Sequence, residues 1–162
     1  MKKNSIILIS IIFLFLLVHG YFAYGSTHVK KHAIDEGVVS ELLSNRTSIM
    51  NRALYGSEDI NIIILDLEQI ERGKLLEDDI NCLIYSRINP TDYPFISDVR
   101  VLNANLLNIQ DDIYKLRVLV QWELLETEEL KETFDYFVEV QQQSGKFFLV
   151  NFEPVEQMEV GT

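Results

Sequence analysis

Tyr114-Lys-Leu-Arg-Val-Leu-Val-Gln-Trp-Glu-Leu124 decides the fold. Tyr114, Leu116, Val118, Val120, Trp122 and Leu124 fall on one side of an extended chain. Lys115, Arg117, Gln121 and Glu123 fall on the other. That period of two marks a β-strand with one buried face. The next run repeats it, with Phe134, Tyr136, Val138 and Val140 set against Thr133, Asp135, Glu139 and Gln141. Gln143-Ser144-Gly145-Lys146 then forms a hairpin turn, Gly145 supplying positive φ. A final strand, residues 147–152, is stopped by Pro154.

Upstream, residues 97–110 form the first strand of this meander, and they change phase. Leu102, Ala104 and Leu106 share one face, whereas Leu107 and Ile109 fall on the other. A one-residue bulge near Leu106 and Leu107 would bring both sets inward and bend the strand. Asp111-Asp112 turns the chain into the next strand. Asn89-Pro90-Thr91-Asp92-Tyr93-Pro94 separates this strand half from a helical half, because a residue before proline is driven to extended geometry.

In the helical half, Val39, Leu42, Leu43, Ile49, Met50, Ala53 and Leu54 recur at helical spacing, with Asn45, Arg46 and Thr47 between them. One long amphipathic helix is expected from near Glu36 to Tyr55, ended by Gly56. Residues 60–72 satisfy a helix by spacing and a strand by β-branched density, and the reading leans to helix. A short helix over residues 77–86 follows. The fold class is therefore α+β: one long helix and shorter ones packed on a curved four-stranded antiparallel sheet. Residues 26–155 form a single domain, and 156–162 a loose tail.

The chain opens with Lys2 and Lys3 before an apolar run, residues 5–25 carrying no formal charge. That is an export signal. Its length suits a retained transmembrane anchor, and Tyr21, Phe22 and Tyr24 suit an interfacial belt. Retention is the leading reading, and Ala23-Tyr24-Gly25 offers the alternative, cleavage near Gly25. Residues 26–162 are expected outside the cytoplasmic membrane either way, anchored by a single pass or secreted.

The net charge is −11, and two of the basic residues lie in the leader, so the remainder is more acidic still. An acidic surface repels phosphate backbones, so no nucleic-acid partner is expected. The lone Cys82 lies in a largely apolar run and reads as a buried, inert thiol. His28 and His32 could share a helical face as metal ligands, but a solvated turn beside the leader is the stronger reading, and no metal or cofactor is expected. The acidic runs Glu77-Asp78-Asp79 and Asp111-Asp112, and the acids between Glu126 and Glu129, read as solvated turns. No phosphate loop, zinc-protease motif or nucleophile elbow is present.

Helices first, a proline-marked crossing and a bent meander resemble the nuclear transport factor two-like (cystatin-like) roll. The closing hairpin carries the likeness: Tyr136-Phe-Val-Glu-Val140, the Gly145-Lys146 turn, and Phe147-Phe-Leu-Val-Asn-Phe-Glu-Pro154. It is similar to the last strand pair of small extracytoplasmic members, anchored or secreted. The resemblance implies either a non-enzymatic interaction and assembly module or a ligand-binding or enzymatic cone. Tyr114, Trp122, Phe134 and Tyr136 would line the pocket of such a cone. No Tyr or Asp matches the acid–base positions of the enzymatic members, so the balance is against an enzyme. A protein partner or self-association is the expected mode of action, beside the membrane itself through residues 5–25 if these are uncleaved.

Overall fold

A computed structural model describes residues 34–89, 94–125 and 129–155 of the 162-residue chain. The expected leader, His28 and His32, most of the proline-marked crossing and the expected tail lie outside the described residues.

Helix α1 spans Glu36–Tyr55. It starts where Asp35 Oδ1 accepts a hydrogen bond from the Val38 amide at 3.0 Å, with Glu36 in the first turn and Arg52 in the last, both favourable to the helix dipole. Val39, Leu42, Leu43, Ile49 and Ala53 form its buried stripe. The helix stops at Gly56, whose amide donates to the Arg52 carbonyl at 2.9 Å. A Cβ at Gly56 would lie 2.4 Å from that oxygen, so only glycine closes the turn.

Helix α2, Ile60–Leu67, is capped by Asp59 and buries only Ile63 and Leu67. The ambiguous stretch thus resolves as a helix followed by a single strand-like contact. The Leu149 amide donates to the Ile70 carbonyl at 2.8 Å, and the Arg72 amide donates to the Leu149 carbonyl at 2.9 Å. Glu71 is thereby a one-residue parallel bridge to the sheet. Helix α3, Gly73–Ile88, is longer than the expected 77–86.

Cys82 is exposed, which corrects the expectation of a buried thiol. The buried stripe of α3 runs through Asp79, Leu83 and Ser86. Cys82 is one residue, or about 100° of helix, away from Leu83. An apolar neighbourhood in sequence does not fix helical phase.

The sheet is antiparallel in the order β1-β2-β3-β4, formed by Phe95–Gln110, Ile113–Leu125, Glu129–Gln143 and Lys146–Pro154. Two hairpins are tight: Asp111 and Asp112 have φ of 50° and 63°, Ser144 and Gly145 of 52° and 81°. Two consecutive left-handed residues give the turn whose twist matches paired strands. Aspartate tolerates that region better than most side chains.

The β1–β2 register slips at three places, between Ile96 and Asp98, Val101 and Asn103, and Leu106 and Asn108. The expected bulge at Leu107 is therefore present, together with two others. Residues opposite one another share a face. Val99, Val101, Ala104, Leu106 and Ile109 sit opposite Trp122, Val120, Val118, Leu116 and Tyr114, the core-facing line of β2. The slips keep one β1 face in step with that line, but Leu102 and Leu107 are the extra residues and leave it. Leu102, Leu106, Leu107 and Ile109 are all exposed, which corrects the expectation that both sets turn inward into the core. The contacts of α1 lie at the other end of β1: Asn51 Nδ2 donates to the Ile96 carbonyl at 2.7 Å, and Tyr55 meets the Phe95 ring.

The core lies between the helices and the central strands, through Leu43, Ile63, Leu67, Leu83, Val118, Val120, Val138, Val140 and Leu149. Phe134 is 40% exposed, against the expectation that it faces the core. The β4 strand pairs with β3 only from Tyr136 onward, so Phe134 extends past the covered part of the sheet. Trp122→Ala is therefore expected to cost about 3–5 kcal/mol, as for a large buried aromatic. Phe134→Ala should cost within about 1 kcal/mol, closer to a surface substitution. Urea denaturation of the two variants checks this, and equal losses would contradict the facing of β3.

Candidate functional site

Four core elements converge on one buried cluster of charge. Arg46 comes from the middle of α1, Glu71 from the bridge to β4, Asp79 from α3 and Phe152 from β4. Arg46 Nε donates to Glu71 Oε1 at 2.9 Å and to Asp79 Oδ2 at 2.8 Å, and one terminal nitrogen donates to Asp79 Oδ1 at 2.8 Å. The guanidinium lies 5.4 Å from the centre of the Phe152 ring, within cation–π range. Glu71 is wholly buried, and Asp79 nearly so.

One cation faces two carboxylates here. Loss of hydration pushes the Glu71 carboxyl up to about 8; the Asp79 charge pushes the same way, and Arg46 opposes both. Glu71 Oε2 has no hydrogen-bond partner among the described residues. A proton on Glu71 makes it a donor toward Asp79 and reduces the cluster to one cation and one anion. The neutral carboxyl is thus the state that the geometry favours near pH 7.

An aromatic group continues from Phe152. Tyr136 stacks on it with centroids 4.3 Å apart, and Trp122 Nε1 donates to the Tyr136 hydroxyl at 3.0 Å. Burial raises the Tyr136 phenol above its ordinary range, while the Trp122 hydrogen bond and the Arg46 charge act against that. Of the four residues expected to line a pocket, the structure brings Trp122 and Tyr136 together. Tyr114 lies toward the other end of β2, buried, with its hydroxyl donating to Gln142 Oε1 at 3.1 Å and its ring edge-on to Phe147. Phe134 is on the exposed extension of β3.

Asp79 corrects the reading of Glu77-Asp78-Asp79 as a wholly solvated run, because it sits on the buried stripe of α3. Its spacing of four from Leu83 is the signal that could have found it. Arg46 likewise falls three and four residues from Leu43 and Leu42, and three and four from Ile49 and Met50. Glu71 had no such signal, since it is placed by the bridge to Leu149.

A groove of about 490 Å³ lies between α1 and β1, lined by Ser44, Thr47, Asn51, Tyr55, Phe95 and Asp98 among others. Its volume is in the range of small-ligand sites. Its one carboxylate is already engaged: Asp98 accepts from Arg100 Nε at 2.8 Å and from the Val99 amide at 2.9 Å. The four residues expected to line a pocket do not line this groove. Among the described residues, no three His, Cys, Asp or Glu side chains group so as to hold a metal ion.

No protein-family model matches the chain, and no curated protein matches it. Among solved structures it is similar to the crystal structure of the intermembrane space region of the chloroplast protein ARC6, at 11% identity and a TM-score of 0.47. The likeness covers 76% of this chain and 98% of that one. It is a weak resemblance of fold alone.

The cluster sets two expectations. Glu71 titrates near 4.5 in an unfolded chain and at about 8 when folded. Between those values the folded chain binds more protons than the unfolded one, so this group's contribution to stability falls as pH rises through the window. Glu71→Gln should flatten that part of the pH–stability curve, measured by denaturant unfolding at stepped pH, and an unchanged slope would contradict the assignment. Arg46→Met should cost about 3–5 kcal/mol at pH 7, the loss seen when one partner of a buried ion pair is removed. The loss should be much the same at pH 5, because Glu71 carries its proton at both values, and should grow above pH 8, where Glu71 ionises without its cation.

Proposed function

We propose that residues 26–155 are a non-enzymatic protein-interaction or assembly module, held at the cytoplasmic membrane or released beyond it. The observation that carries the reading is the apolar surface of the sheet. Leu102, Leu106, Leu107, Leu125, Phe134 and Phe137 are all exposed, on an otherwise acidic chain. Leu106 and Phe134 lie on the core-side face of the sheet and Leu125 and Phe137 on the opposite face, and large exposed apolar side chains on a sheet favour a contact surface. The charged apolar leader of residues 1–25 supports the extracytoplasmic side, with residues 5–25 as the membrane contact if they are uncleaved. Among the described residues no helix is long and apolar enough to cross a membrane. Kinship with the nuclear transport factor two-like rolls belongs to the same proposal. It rests on the order of elements and on the closing hairpin.

A second reading draws on Glu71. A carboxyl titrating near neutrality is what general acid–base chemistry uses, and it would suit a ligand-binding or enzymatic roll. Against this, Glu71 is wholly buried, its Oε1 is held by Arg46, and the cluster links four elements. A structural clamp accounts for those contacts without a substrate.

The test uses the full chain carrying a C-terminal tag in cells that export it. Protease added outside intact cells should digest residues 26–162, and terminal sequencing should find either Met1 or a new terminus near Ser26. Amine crosslinking should then join the chain to another polypeptide, a second copy included. A protease-protected chain would overturn the extracytoplasmic placement. A chain that never crosslinks but releases a bound small molecule on denaturation would favour the second reading.

A further inference from the structure

A short link ties the helices to the outer edge of the sheet. Residues 68–72 join the end of α2 to Gly73, where α3 begins with a φ of 62°. Two backbone hydrogen bonds hold this link to β4. The Leu149 amide donates to the Ile70 carbonyl at 2.8 Å, and the Arg72 amide to the Leu149 carbonyl at 2.9 Å. The Arg72 guanidinium lies 3.8 Å from the centre of the Phe148 ring. Glu71 stands between the two bonds and is wholly buried. With a helix end on one side and a left-handed glycine on the other, such a link can turn without unwinding either helix.

We propose that residues 68–72 are a proton-controlled latch on β4: with a proton on Glu71 the link lies closed on Leu149, and loss of that proton lifts the link away and uncovers the outer edge of the strand. The argument starts from the donors. Both Asp79 oxygens accept from Arg46, but only one Glu71 oxygen does. Glu71 Oε2 is buried without a hydrogen-bond partner among the described residues. Protonated, it has Asp79 to donate to; ionised, it is a buried anion sharing one cation with a second anion. The charged groups acting on Glu71 are Arg46 from α1 and Asp79 from α3. From α2 it meets the Leu67 carbonyl, which accepts its amide at 2.8 Å. From β4 it meets the Leu149 backbone, with Phe152 across the Arg46 guanidinium. Behind Phe152, the Tyr136 phenol of β3 is held above its ordinary range and is neutral here. On the link itself, Arg72 donates to the Glu71 carbonyl at 2.6 Å.

An ionised Glu71 can reach water most cheaply by breaking the two hydrogen bonds to Leu149. Asp79 and Arg46 lie within helices, and freeing either would move a whole element. Closed, the Glu71 carboxyl keeps its proton up to about 8; in water it returns to its ordinary 4.5. Opening therefore releases one proton across that interval. It becomes easier as pH rises through the interval and gains nothing further once the closed form also ionises.

The test is amide hydrogen exchange of the full chain in detergent micelles from about pH 5 to about pH 9, with protection corrected for the intrinsic effect of pH on exchange. Protection of the Arg72 and Leu149 amides should fall by about tenfold per pH unit to near pH 8 and then level off, the slope for one released proton. It should also stay at least about tenfold below that of Val118 and Val138, buried in the central strands, because a latch opens without the domain unfolding. Glu71→Gln should remove the pH dependence at Arg72 and Leu149. Asp79→Asn leaves Arg46 to Glu71 alone, so it should remove most of the fall between about pH 6 and pH 8 and gives a second reading if the glutamine variant does not fold. Protection that does not change with pH overturns the proposal, as does a fall that persists in either folded variant. Equal protection at all four amides also overturns it, since Glu71 would then ionise only when the whole domain unfolds.

Discussion

The salt-bridged Arg46 links elements that lie far apart along the chain. It reaches from the middle of the first helix to Glu71, on the link between the second and third helices, and to Asp79 on the third. It also covers Phe152 on the last strand. Those elements are spread over more than a hundred residues of chain, and hydrophobic burial brings them together without fixing direction. The directional contacts come from the guanidinium, whose planar array of donors suits two carboxylates at once. Such a cluster is expensive to dehydrate, and the raised titration of Glu71 is the sign of that cost. A proton on Glu71 lowers the cost by removing the surplus negative charge.

Much of the fold could be read from periodicity. The β2 strand repeats every two residues without a fault, and its buried face is the expected one through Trp122. The first helix begins and ends where Asp35, Glu36 and Gly56 place its caps. Residues 60–72 were ambiguous for a physical reason: isoleucine satisfies either a buried helix face or a strand. The chain uses both, a helix to Leu67 and then one strand-like contact at Glu71. Exposure was the least legible property. Phe134 and Leu106 follow the pattern of their strands, but both are exposed, and among the described residues neither belongs to the buried core. Alternation says which way a side chain points and leaves open whether anything lies above it.

The buried cluster was less legible than the sheet. Arg46 and Asp79 sit at helical spacing from leucines, a pattern ordinarily read as polar interruption of an apolar face. Glu71 depends on a single bridge between segments far apart in sequence. Trp122 and Tyr136 could be placed on one face of the sheet by alternation, whereas their union with Phe152 and Arg46 depends on how the last strand and first helix meet. A pattern within one element constrains that element. A site assembled from four elements is constrained by their packing.

The ion cluster is a structural part of the core, replaceable by apolar packing, and the exposed apolar side chains of the sheet are the surface proposed to make the contacts. The most direct test is the triple variant Arg46→Met, Glu71→Leu, Asp79→Leu, which replaces the cluster with apolar side chains of similar bulk. Its crosslinked products in cells are compared with those of the unaltered chain. A folded protein giving the same crosslinked species in the same proportion is expected. A folded triple variant that has lost those species would place function in the cluster and contradict that expectation.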